Sequence, residues 1–224
     1  MEEHKLLELD LSSAPKEVIE LLIEDASDSS VIEEIARANF KRPDILKLIL
    51  ENPDTPEPVR HEIAEALKIP VKSTLKIERA SQKQGTRAQN IYQKIQRLSF
   101  TEKRLLALRG GREIRSILLK DPNKEISLTV LENPKITETE VELIAKSRSS
   151  TDEAIRKITK KREWMKNYSI ILALVSNPKT PPGVGIPLLS GLKTKDLLSI
   201  EKNKNISEAI RSYARTLIRG KKGL

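Results

Sequence analysis

Asn177-Pro178-Lys179-Thr180-Pro181 stands between two apolar runs, residues 170–175 and 186–189, and leaves the chain few options there. Asn tolerates the left-handed conformation that closes a helix, a following Pro cannot continue that helix, and Thr-Pro offers an N-cap and a first-turn residue for the next one. The stretch therefore predicts helix, hard stop, helix. The same punctuation recurs at Asn52-Pro53-Asp54-Thr55-Pro56. It returns in reduced form at Asn133-Pro134-Lys135-Ile136-Thr137 and at Asp121-Pro122, where Asp serves the same turn. Twelve residues separate Asp121 from Asn133 and forty-four separate Asn133 from Asn177, so the repeats are expected to be degenerate.

Between the stops the apolar residues recur at helical spacing. A first helix is expected over residues 13–25 on Val18, Leu21 and Leu22. A second is expected to run from a Ser30/Glu33 capping box to about Asn39, a third from Pro43, and a fourth from Thr55-Pro56 with Val59, Ile63, Ala66 and Leu67 on one face. The pattern resumes with Ile91, Ile95 and Leu98 and ends an element at Gly110-Gly111, read as a C-cap pair. Capping boxes are expected at Thr137/Glu140 and Ser150/Glu153. The last helix shows a face of Ile206, Ile210, Tyr213, Ala214, Leu217 and Ile218. Helices of about ten residues are marginal alone in water, so each must bury its stripe against neighbours, and stacked helix pairs do this with one continuous core. Aromatic residues are only 3% of the chain, which also favours helices over sheet. The expected fold is all-α, an α-α superhelix of short antiparallel helix pairs.

Charge divides the chain differently. Residues 1–69 hold 8 Lys+Arg against 17 Asp+Glu, residues 70–112 hold 11 against 2, and residues 113–224 hold 22 against 13, giving −9, +9 and +9. Residues 70–88 mix cations with Ser, Thr, Gln and Gly and bury too little to offset their ordering entropy. Three parts are expected: acidic helical repeats over 1–69, a basic flexible linker over 70–88 and a basic helical-repeat superhelix over 89–224. Attraction between the acidic block and the +18 remainder would let one mask the other.

The helix followed by Asn-Pro-x-Thr-Pro and another helix resembles the HEAT/armadillo superfamily and, more narrowly, the bacterial leucine-rich repeat variant proteins. Residues 91–224 also resemble an uncharacterised deltaproteobacterial family. That likeness rests on Tyr92-Gln93-Lys94-Ile95-Gln96-Arg97-Leu98-Ser99, Ala107-Leu108-Arg109-Gly110-Gly111-Arg112-Glu113, Leu118-Leu119-Lys120-Asp121-Pro122-Asn123-Lys124 and Arg162-Glu163-Trp164-Met165-Lys166-Asn167-Tyr168. The resemblance implies an α-α superhelix and no activity. Some leucine-rich repeat variant proteins carry an iron-sulfur centre on cysteines, and this chain has no Cys.

No cysteine also means no disulfide and no thiolate ligand or nucleophile. Its two histidines, His4 and His61, have no companions at metal-ligand spacing, and no Gly-Lys-Ser/Thr follows Gly110-Gly111 to make a phosphate loop. No catalytic residues, cofactor or metal are expected. The acidic N-terminus and the lack of a long apolar run predict a cytoplasmic protein without a membrane span. One basic stretch stands out: Arg156, Lys157, Lys160, Lys161, Arg162, Trp164 and Lys166 set the only Trp among cations. The cations can neutralise phosphates, and the ring would stack on a base or anchor a protein partner if exposed, or make an inter-repeat core contact beside a wet basic face if buried. The expected function is a non-enzymatic protein-protein interaction scaffold; the alternative is nucleic-acid binding through the basic superhelix, in the manner of HEAT-like-repeat DNA-binding proteins.

Overall fold

A computed structural model of the chain describes residues 11–26, 28–68 and 84–222. Among the described residues every regular element is helical, fourteen α-helices and two 3-10 turns. They fall into two compact units, Met1–Pro134 and Lys135–Leu224. The first holds α1 (Lys16–Glu24), α2 (Ser29–Ala38), α3 (Pro43–Glu51), α4 (Glu57–Ala66), α5 (Gln84–Gln96), α6 (Phe100–Arg109), α7 (Arg112–Leu118) and α8 (Lys124–Val130). The second holds α9 (Glu138–Lys146), α10 (Asp152–Lys160), α11 (Tyr168–Ser176), α12 (Pro182–Leu188), α13 (Thr194–Lys202) and α14 (Glu208–Lys222), with 3-10 turns at Trp164–Lys166 and Leu189–Gly191. Of the basic linker expected over 70–88, residues 70–83 lie outside the described residues, and Gln84 onward is helical.

Packing mostly follows chain order within each unit. A helix meets the next and often the one after: α1 meets α2 and α3, α2 meets α4, α5 meets α7, α6 meets α8, α9 meets α11, α11 meets α13 and α12 meets α14. One departure is α1, which also packs on α6. Its Val18, Ile19, Leu21, Leu22 and Ile23 are all buried, more than one apolar stripe supplies, because neighbours cover it from two sides. At its end Asp25 reaches across and caps α7: its carboxylate accepts the N–H of Ile114 at 3.0 Å and of Glu113 at 3.2 Å. Glu24 pairs with Lys94 at 2.6 Å and Glu34 with Arg109. Charge thus divides the chain after residue 69, whereas the compact units part after Pro134. The acidic block is joined to α5–α8 by buried apolar side chains as well as by ion pairs.

The stops are real, but their chemistry differs from the expected left-handed closure. Asn52 (φ −76°) and Asn177 (φ −81°) are extended, and the left-handed non-glycine residue among those described is Lys68 (φ 53°), after α4. In place of a left-handed cap, the Asn side chain does two things. Its oxygen accepts the backbone N–H two residues on, from Asp54 to Asn52 and from Lys179 to Asn177, each at 2.9 Å. Its amide nitrogen reaches sideways: Asn177 donates to Ala145 O at 2.7 Å and Ser147 O at 2.9 Å, satisfying carbonyls at the end of α9 that helix geometry leaves open. Asn133 does the same for α6, donating to Ala107 O at 2.9 Å and Gly110 O at 3.1 Å. At Asp121 the acid has no N–H to donate; it keeps the turn by accepting from Asn123 N at 2.9 Å and takes Lys103 as a buried partner at 2.9 Å.

Threonine also plays a different part from the expected N-cap. Thr55 and Thr180 turn back, each hydroxyl donating at 2.5 Å to the carbonyl six residues earlier, Ile49 and Leu174. Pro56 and Pro181 occupy the N-cap positions of α4 and α12. The Thr137/Glu140 capping box forms as expected. The other two do not: Asp28 caps α2 by accepting Ser30 N, and Thr151 caps α10 by accepting Ala154 N, since α2 begins at Ser29 and α10 at Asp152. Gly110 and Gly111 have negative φ. Their lack of a side chain answers to space, because a Cβ would stand 2.5 Å from Leu106 O at Gly110 and 2.3 Å from Asp25 O at Gly111. On α14 Tyr213 faces outward, 42% exposed, while Ile206, Ile210, Ala214 and Ile218 join the core of the second unit.

Candidate functional site

The basic stretch lies at the junction of α10 and α11. Ala154, Ile155 and Ile158 bury one side of α10, which turns Arg156 and Lys160 outward and leaves Lys157 half-buried. The junction then folds as the 3-10 turn and packs on both α10 and α11. That packing takes in Trp164, which is 5% exposed, so the ring considered above for stacking on a base is a core ring. Lys161 Nζ sits 4.3 Å from the ring centroid, a cation over a π face.

The remaining cations divide by what they touch. Arg156 pairs with Asp152 one turn back, Nε to Oδ2 at 3.0 Å. Lys157 and Lys161 also have partners. Lys160, Arg162 and Lys166 are exposed and make no ion pair with a described residue. The structure thus places all seven sequence-derived residues on one short segment but leaves three of them, Lys160, Arg162 and Lys166, with their charge turned to solvent. Neighbouring starts of α9 and α13 border them. Asn167 caps α11 by accepting Ser169 N at 2.9 Å, and its amide donates to Glu138 Oε2 at 2.7 Å. Tyr168 OH donates to Asp196 and accepts Lys193 N at 3.1 Å, and Lys193 Nζ lies 5.2 Å from its ring. Burial first, and the Asp196 hydrogen bond second, raise the Tyr168 hydroxyl above its ordinary value, so it stays a neutral donor at physiological pH. The first turn of α11 carries no acid to offset the cations beside it.

Such an arrangement can neutralise an anion. Elsewhere, His61 is exposed on α4, and His4 lies outside the described residues. Among the described residues no three His, Cys, Asp or Glu side chains gather where they could hold a metal ion, and no helix is long and apolar enough to cross a membrane. An open cleft of about 480 Å³ between α1 and α5 is lined by Glu17, Glu20 and Glu102 opposite Lys94 and Arg97. Its charges oppose one another, and it offers no convergent set. Sequence reasoning placed a helix start at Ser150 and a last helix from about Ile206, but it missed the hydrogen-bonded turns at residues 147–150 and after Asn203, because neither contains Pro. The signal was present in Ser147 and Asn203, which accept the backbone N–H two residues on as Asn177 does, and in Ser150, whose hydroxyl donates as that of Thr180 does.

Comparison of the chain with protein-family profiles, with curated proteins and with solved structures gave no match.

Proposed function

We propose that the protein is a non-enzymatic binding scaffold, an α-α superhelix of HEAT/armadillo type whose surface holds a partner protein. One observation carries the reading: the sideways amide of Asn133 and Asn177, which ties the end of one helix to the end of the helix two before it. A bond that recurs from α8 to α6 and from α11 to α9 is what a stack of equivalent helix pairs produces, and such stacks act through their surfaces. The exposed charges of Lys160, Arg162 and Lys166 supply a docking surface for an acidic partner.

A second reading has its own support. Residues 135–224 hold 19 Lys+Arg against 9 Asp+Glu, the charge balance of a nucleic-acid-binding surface. The buried Trp164 withdraws the stacking platform, so this reading rests on phosphate contacts alone.

Capture experiments with the full tagged chain and its K160E/R162E/K166E variant decide between the two. The scaffold reading expects a protein recovered in stoichiometric amount by the wild type and lost from the variant. Recovery of no stoichiometric protein in several buffers overturns it. Titration of the full chain with duplex DNA over a salt series tests the second reading, which requires affinity that falls steeply as salt rises.

A further inference from the structure

Three turns of the second unit share one build. In each, the side chain of the first residue accepts the backbone N–H two residues on: Ser147 from Ser149 at 3.3 Å, Asn177 from Lys179 at 2.9 Å and Asn203 from Asn205 at 3.0 Å. In the first two, the hydroxyl of the fourth residue also donates to the carbonyl six residues earlier, Ser150 to Ile144 and Thr180 to Leu174. Turns tied in this way hold their tips fixed. The tips carry Arg148, Lys179 and Lys204, all exposed and none in an ion pair with a described residue.

The three turns stand side by side. Asn177 Nδ2 bonds to Ala145 O and Ser147 O, which fastens the second turn to the first. Val175, Ile200 and Ile206 share one buried cluster, and a Cβ on Gly185 would meet both Ile210 at 2.7 Å and Thr180 at 3.3 Å, which brings the third turn and the start of α14 to the second. Acids nearby are already engaged: Asp152 by Arg156, Glu208 by Arg211 and Glu201 by Arg215, which leaves Glu153 at the start of α10. The first turn of α12 carries no acid.

Packed helices lie about 8–10 Å apart, and α9 packs on α11 and α11 on α13, so turns at the ends of these three helices would present their cations at about that pitch. A polyproline II chain advances about 3.1 Å per residue with three residues per turn, presenting one face every ~9 Å. We propose that this row binds an acidic segment in polyproline II conformation with a carboxylate at every third residue. The proposal rests on reading the protein as a scaffold, and it names the chemistry of a partner and a surface distinct from the α10–α11 cations.

The test titrates the full chain with a fluorescein-labelled peptide bearing glutamate at every third position among prolines. An isomer with its glutamates contiguous and an oligothymidylate of equal length serve as comparison probes. R148E/K179E/K204E should weaken binding of the spaced peptide by about tenfold or more, and K160E/R162E/K166E by less than about threefold. R148A/K179A/K204A, which removes charge without reversing it, should fall between wild type and R148E/K179E/K204E, with unchanged circular dichroism throughout. No binding of the spaced peptide at about 50 mM salt overturns the proposal, as does equal loss in the two charge-reversed variants or equal affinity for the contiguous isomer. Tighter binding of the oligothymidylate assigns the row to nucleic acid instead. A captured protein partner that R148E/K179E/K204E still retains leaves the scaffold reading standing and removes the row alone.

Discussion

Asn177 illustrates how much one side chain holds here. It is 2% exposed, and its amide closes a turn on one side and two carbonyls on the other. N177A leaves those buried groups unpaired and should cost about 1–3 kcal/mol in chemical denaturation. Asp121 answers the same position differently, with a side chain 3% exposed beside a Lys103 side chain 14% exposed. D121N strands that ammonium and should cost about 3–5 kcal/mol, whereas K103M/D121N should recover most of the loss. Asp25 ties the acidic block to α7. Burial, the leading cause, holds its carboxyl above the ordinary 3.8, although the N–H groups of Ile114 and Glu113 pull the other way. A raised folded value means a contribution that is complete below the ordinary value and lost as pH climbs through the folded one. The stability gap between wild type and D25A should therefore be widest at the acid end and narrow as pH rises toward neutrality; a gap that widens instead contradicts the assignment.

At the scale of elements, short helices are placed by what happens at their ends. Gly111 lets α7 begin against Asp25, so G111A drives a Cβ into backbone and should destabilise by about 1–3 kcal/mol. Gly183 on α12 has nothing within 4 Å of a Cβ, and G183A should stabilise by about 0.5–1 kcal/mol, both read from thermal melts. The pattern of apolar residues was enough to locate these helices: Ile45, Leu46 and Ile49 of α3 and Val59 and Ile63 of α4 are buried, although Ala66, expected on the same α4 face, is exposed and Leu67 half-buried. The stops were legible in full where Pro marks them; at Ser147 and Asn203 the change of helix was readable but the turn that hydrogen bonds build there was not. How an Asn acts at its stop was not legible either, because its amide bonds to a helix some thirty residues earlier, Ala145 for Asn177, and no local pattern contains that distance. For the candidate site, clustering of cations was readable, but the fate of Trp164 depended on packing against α10 and α11 that composition does not encode.

At the scale of the molecule, the first unit is not a sequence of independent repeats. Deleting residues 1–69 removes α1 from α6 and the Asp25 cap from α7, so the truncated chain should lose cooperative folding over residues 84–134. Limited proteolysis checks this, and a protected fragment covering those residues in the truncated chain refutes it. Electrostatic masking by the acidic block would be weakened by salt; the buried apolar contact of α1 would not. The packing of α1 on α6 also bears on how the chain is made. A ribosome adds about 5–20 residues each second, and α6 is completed only at Arg109, so an early helix with five buried apolar side chains waits for seconds in the cell with α2 and α3 beside it but without its α6 cover. Aggregation of nascent chains should therefore be most severe when translation pauses between Asp25 and Arg109, and a chaperone that shields apolar segments should be needed most in that interval.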